Sequence, residues 1–130
     1  MSPVIPRFEL GEEECASGGH VVCVRGEIHM TTAPGLSQRL HEAVDQGHTA
    51  LVIDLSEVEF IDSTGLSVLL NGLRRVTQAN GRLALVCANP TVLRLFQITS
   101  LDKTFDIFDG REAACEHVGQ SAGPSSGGAP

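Results

Sequence analysis

The segment Phe60-Ile61-Asp62-Ser63-Thr64-Gly65-Leu66 sets a carboxylate, two hydroxyls and a glycine directly behind an apolar run. Three kinds of chemistry suit those residue types. Ser63 could be a nucleophile; Asp62 or Ser63 could cap a following helix; or the hydroxyl could belong to a switch. A capping side chain accepts a bond from a first-turn N–H and is worth about 1 kcal/mol. The same turn carries unpaired N–H groups and the positive end of the helix dipole, so it tolerates an anion. Gly65 weakens a first turn and is more useful where another backbone must come close.

Nucleophilic catalysis has little support. A nucleophile elbow reads G-x-S-x-G, and around Ser63 the flanking positions are Ile61 and Gly65, half of that pattern. Of His20, His29, His41, His48 and His117, His29 alone falls in a loop at the correct edge of a parallel sheet to serve as a base. No oxyanion signal accompanies it. There is no G-x-x-x-x-G-K-[ST] phosphate loop, and the sole lysine is Lys103. Asp54 and Asp62 could suggest an acid–base pair, but Asp54 reads more simply as ending its strand by bonding to the next turn. The sequence points away from an enzyme, and it implies no cofactor and no metal.

The elements that position this segment alternate in period. Phe8 to Glu14 reads as a first strand. His20–Ile28 reads as a second, with Val22, Val24 and Ile28 on one face. Leu36, Leu40, Ala43 and Val44 recur at helical spacing, with Thr32 as cap, Pro34 in the first turn and Gly47 closing the helix. Leu51–Leu55 is a continuous apolar run, as in a strand covered on both faces. Leu66, Leu69, Leu70, Leu73 and Val76 form one side of an amphipathic helix, opposite Ser67, Asn71, Arg74, Arg75 and Gln78. Asn80-Gly81 stops it. Leu83–Cys87 is a further strand, and Asn89-Pro90 opens a helix to about Ile98. A short strand at Ile107-Phe108 and a helix over Arg111–His117 complete the pattern. Strand–helix–strand, repeated, requires an α/β fold: a single mixed, mostly parallel sheet with helices packed against it.

Composition narrows the function classes. The net charge is −7 with no basic run, which argues against nucleic acid, whose binding draws on Lys and Arg contacts to phosphate. It permits a basic protein partner. No apolar run approaches the roughly 18–20 residues that span a bilayer, and Met1–Leu10 lacks the pattern of a secretory signal, so the expected setting is cytoplasmic. Cys15, Cys23, Cys87 and Cys115 are scattered without C-x-x-C spacing, so no zinc site is expected and four reduced thiols are. One domain is expected over 1–118. Residues 119–130, GQSAGPSSGGAP, read as a disordered tail, and the first few residues as loose.

Gly26–Ala33 (GEIHMTTA), Leu51–Leu70 (LVIDLSEVEFIDSTGLSVLL) and Gly81–Phe108 (GRLALVCANPTVLRLFQITSLDKTFDIF) resemble the STAS domain of bacterial anti-sigma factor antagonists. The likeness covers roughly residues 8–117, and the D-S-[ST]-G-L segment is its specific part. It implies a partner switch. Such proteins bind an anti-sigma factor that is also a Ser/Thr kinase of the histidine-kinase-like ATPase fold, and so free a sigma factor. The kinase phosphorylates the serine after the motif aspartate, which disables binding, and a PP2C-type phosphatase restores it. That serine is Ser63 here, with Thr64 in the second hydroxyl position. The implied binding face comprises His29, Met30, Thr31 and Thr32, then Asp62, Ser63, Thr64, Gly65 and Leu66, with Asn89. The sequence departs from the family at His29, where members often carry an acid. The alternative reading is a STAS module that never switches, serving as a scaffold or as a small-molecule or nucleotide sensor.

Overall fold

In the computed structural model, residues 8–121 are described. The five strands are β1 (Phe8–Glu14), β2 (His20–Ile28), β3 (Ala50–Ile61), β4 (Arg82–Val86) and β5 (Asp106–Phe108). The four helices are α1 (Ala33–Asp45), α2 (Ser63–Gln78), α3 (Pro90–Ile98) and α4 (Arg111–Ser121), with a short 3-10 turn at Leu101–Lys103. The strands lie in the order β1-β2-β3-β4-β5; β1 is antiparallel to β2 and every other pair is parallel. Each parallel pair needs a crossover, and α1, α2 and α3 supply the three. Moving the same way across the sheet with one handedness, they share one face.

That face holds the main core. Val22, Val24, Ile28, Leu51, Ile53, Leu55, Leu83 and Leu85 from the strands meet Leu36, Leu40, Leu66, Leu69, Val76, Val92 and Phe96 from the helices. The intervening residues Val21, Val52, Ala84 and Val86 point to the other face, where α4 covers them with Ala114, Cys115 and Val118. The continuous burial of Leu51–Leu55 follows directly, since β3 is sandwiched there.

Four expectations need correction. First, β3 does not end at Asp54 but runs to Ile61. Its pairing with β2 slips between Cys23/Arg25 and again between Gly26/Glu27, each slip leaving one extra residue on β3. Leu55, Val58 and Ile61 are consequently buried at every third residue, which hides the period of two that marks a strand. The Asp54 carboxylate does bond forward, to the Ser56 N–H (2.9 Å) and hydroxyl (2.5 Å), but it does so within the first bulge. Second, Thr32 does not cap α1 through its side chain. Its hydroxyl donates to the Glu27 carbonyl (2.8 Å) and accepts from the His29 N–H (3.0 Å), pinning the loop that leaves β2.

Third, Cys15 and Cys115 form a disulfide, with Cα atoms 5.7 Å apart. The turn after β1 and helix α4 occupy the same face, so residues 100 apart in sequence become neighbours. Cys23 and Cys87 remain thiols, and burial pushes the pKa of each upward. Fourth, α4 continues past His117 to Ser121, into the stretch read as a tail. Residues 1–7 and 122–130, read as loose and disordered, lie outside the described residues. The remaining elements fall where the sequence places them, including Gly47 at φ 93° behind α1 and Asn80 at φ 62° behind α2. Among the described residues no helix is long and apolar enough to cross a membrane.

Candidate protein-interaction site

Because β2, β3 and β4 are parallel neighbours, the segments leaving their C-terminal ends gather along one sheet edge. His29–Thr32 leave β2, Asp62 leaves β3 and opens α2, and Asn89 leaves β4 and opens α3. Two bonds tie these segments together. The Asp62 N–H donates to the Ile28 carbonyl (3.1 Å), and Asn89 Nδ2 donates to the Val58 carbonyl (3.3 Å). Asn89 also caps α3, its Oδ1 accepting from the Thr91 N–H at 2.9 Å.

At the head of α2 the competing roles separate. Asp62 is extended (φ −107°, ψ −173°) and its carboxylate accepts from the Gly65 N–H at 3.0 Å, so Asp62 is the cap. Ser63 and Thr64 follow in the first turn and are both exposed. Neither hydroxyl takes part in a hydrogen bond among the described residues. Gly65 is buried against the ends of β2 and β3: a Cβ there would lie 2.7 Å from Ile28 Cγ2 and from Ile61 Cγ1, and 3.2 Å from the Ile28 carbonyl oxygen. Its absence lets α2 start directly on the sheet, which fixes where Ser63 emerges.

His29 Nδ1 accepts from the Thr31 N–H (3.2 Å), while Nε2 sits 3.6 Å from Glu27 Oε1. The imidazole lies beside Phe60, with ring centroids 6.5 Å apart. No bond joins His29 to Ser63 among the described residues, so the base that a hydrolase would need is not engaged there. Leu66, which helical spacing places on the apolar side of α2 and the resemblance implied for the binding face, is 7% exposed and belongs to the core. Beside Ser63 and Thr64 the edge also exposes apolar side chains. Met30 is 74% and Phe60 48% exposed, two of the three large hydrophobic side chains so placed among the described residues.

Phe60 is the residue that sequence reasoning missed. A signal was present, because Leu55, Val58 and Ile61 at spacing three require the residues between them to face outward. Read that way, Glu59 and Phe60 both leave the core. No cluster of three or more His, Cys, Asp or Glu side chains among the described residues is placed to hold a metal ion.

The sequence profile of the STAS domain matches residues 14–114. The chain belongs to the STAS-domain family. Its likeness to anti-sigma factor antagonists is direct. The anti-sigma-F factor antagonist RsfB of Mycobacterium tuberculosis is 37% identical over 92 residues, which is 71% of this chain and 75% of RsfB. The crystal structure of an anti-sigma factor antagonist from Mycobacterium paratuberculosis superposes with a TM-score of 0.78 at 36% identity, covering 86% of this STAS domain's chain and 94% of that one. The Bacillus protein SpoIIAA, solved in its phosphorylated form, shares the fold, with a TM-score of 0.64 at 24% identity and coverage of 86% and 99%.

Proposed function

We propose that this STAS domain is a cytoplasmic anti-sigma factor antagonist, a binding module without catalysis of its own, switched by phosphorylation of Ser63. Its partner is an anti-sigma factor with the histidine-kinase-like ATPase fold. That partner also transfers the phosphoryl group, and a PP2C-type phosphatase removes it. ATP and Mg²⁺ belong to the kinase. The docking face is the sheet edge: His29–Thr32, Asp62, Ser63 and Thr64, with Asn89 bracing it and Met30 and Phe60 as apolar anchors. Thr64 is the second candidate for modification.

The observation that carries this reading is the division of roles at α2. Asp62 does the capping, so Ser63 is not needed for it and stands exposed without a hydrogen-bond partner among the described residues. A phosphate on Ser63 adds about −1.5 to −2 charges at a helix N-terminus, where the dipole and free N–H groups tolerate it. The fold therefore has no reason to break. In a docked interface the same group is desolvated, and a penalty of about 3–4 kcal/mol lowers affinity roughly 10²–10³-fold. Met30 and Phe60 are exposed on segments that end at this same edge, and a phosphate among apolar anchors disturbs the part of an interface that excludes water.

The test is a pull-down from the native host's lysate with Ser63→Ala and Ser63→Glu side by side, read by mass spectrometry. The expected result is a histidine-kinase-like ATPase retained by the alanine bait and lost by the glutamate bait. Identical captures, or no such ATPase on either, would favour a scaffold or sensor that does not switch.

A further inference from the structure

We propose that the Cys15–Cys115 disulfide is a reversible thiol–disulfide exchange site that latches α4 onto the sheet, and that its acidic surround favours cationic over anionic thiols as exchange partners. The inference is independent of any role for Ser63. It begins with the small side chains by which α4 meets the sheet. The helix buries Ala114, Cys115 and Val118 against Val21, Val52, Ala84 and Val86, with Cys23, Ala50 and Phe108 partly buried beside them and the Phe108 ring 5.2 Å from that of His117. Polar ties supplement them: Arg111 to Asp54 and Glu13, His117 to Asp106 (2.9 Å), and the Ser17 hydroxyl to the Cys115 carbonyl (3.3 Å). Cys115 itself is one of the three buried contacts, and its sulfur is bonded to the turn Cys15–Gly19, which is closed by the Cys15 N–H on the Gly19 carbonyl (2.7 Å). A cross-link between residues 100 apart restricts the unfolded chain strongly. In the loop-entropy account it shifts the folding equilibrium by about 10³-fold.

The bond also lies beside open space. Cys15 and Cys115 keep 8% and 9% exposure, and they border an open depression of about 660 Å³. Glu14, Glu112 and Glu116 line it, and the one cation there among the described residues, Arg111, is already paired with Asp54 and Glu13. In exchange, an external thiolate attacks one sulfur, forms a mixed disulfide and releases the other cysteine as a thiolate. A second external thiolate then attacks the sulfur of the first, releasing the remaining cysteine as a thiolate and leaving an external disulfide. In sum the protein disulfide and two thiols give two cysteine thiols and one external disulfide, and the reverse reaction restores the latch. The three carboxylates repel an approaching anion, so a thiol bearing a cation approaches more readily at low ionic strength.

Opening the latch leaves α1, α2 and α3 on their own face and frees α4 to lift from Val21, Val52, Ala84 and Val86. Three readouts on the full chain test this. Alkylation of the denatured, unreduced protein should find two thiols, Cys23 and Cys87, and four after reduction; four before reduction would overturn the site. Hydrogen exchange should quicken at least tenfold at Ala114–Val118 on reduction while Leu69–Val76 in α2 keeps its protection. Equal protection of α4 in both states, or equal loss in α2, would overturn the latch. Reduction by cysteamine and by mercaptoacetate, each rate divided by that thiol's rate with a small neutral disulfide, should differ by about tenfold in dilute buffer and converge at about 1 M salt. A ratio near one at both ionic strengths would overturn the selectivity.

Discussion

At Asp54 one buried carboxylate serves two neighbours. Its Oδ1 accepts from the Ser56 N–H and hydroxyl, and its Oδ2 accepts from Arg111 Nη2 (2.7 Å) and Nε (3.1 Å). Burial pushes its pKa up, but the Ser56 and Arg111 bonds outweigh that and hold the carboxyl below its ordinary value. In the unfolded chain an aspartate titrates at about 3.9, so the folded form releases the proton at lower pH than the unfolded form. The stability this provides is fully present above that pH and is lost as pH falls through the folded value. Asp54→Asn should cost about 1–3 kcal/mol at neutral pH, with the gap to wild type narrowing below about pH 4 in denaturant titrations. A gap that stays constant with pH would contradict the assignment. The same scale explains what sequence could and could not show. That Asp54 bonds to a residue just ahead was legible from its type and place, whereas Arg111, 57 residues away, was not. Nor was the pairing of Cys15 with Cys115, because spacing along a chain carries no information about which face of a sheet a terminal helix will cover.

Helix α2 owes its position to what is missing from its first turn. Any side chain at Gly65 would overlap Ile28 and Ile61, so the helix would have to lift from the ends of β2 and β3. In an exposed helix, Gly→Ala gains up to about 1 kcal/mol; here Gly65→Ala should instead lose about 1–3 kcal/mol through overpacking. Thermal unfolding decides the sign, and a raised or unchanged Tm would show that the contact is loose. Among the elements, those with an undisturbed period were legible: β2, α1, α2, β4 and α3 stand where alternation, helical spacing and the Asn89-Pro90 start place them. β3 was not legible beyond Leu55. Its two slips against β2 change the spacing of buried residues from two to three, and they turn Phe60 outward in a segment that otherwise reads as core. The element that broke the simple rule is the one that delivers Asp62 and Ser63 to the surface.

For the whole molecule, parallel β2, β3 and β4 bring three loops distant in sequence to one edge, and α4 closes the opposite face without touching that edge's chemistry. The arrangement separates the core from the edge that carries Ser63, so a charge added at Ser63 would fall outside the core. The sequence motif D-S-T-G-L drew attention to the segment after β3, and helical spacing already put Leu66 on the apolar side of α2; the exposure of Phe60 emerged once β3 was followed past its slips against β2. The central claim is that a phosphoryl group on Ser63 abolishes docking while leaving the domain intact. Its most direct measurement is calorimetric titration of the captured ATPase with unphosphorylated protein and with protein phosphorylated by that ATPase, the modified residue verified by mass spectrometry. Phosphate on Ser63, with Kd raised roughly 10²–10³-fold and an unchanged unfolding midpoint, is the predicted result. Equal affinity of the two forms, or phosphate on neither Ser63 nor Thr64, would contradict the account.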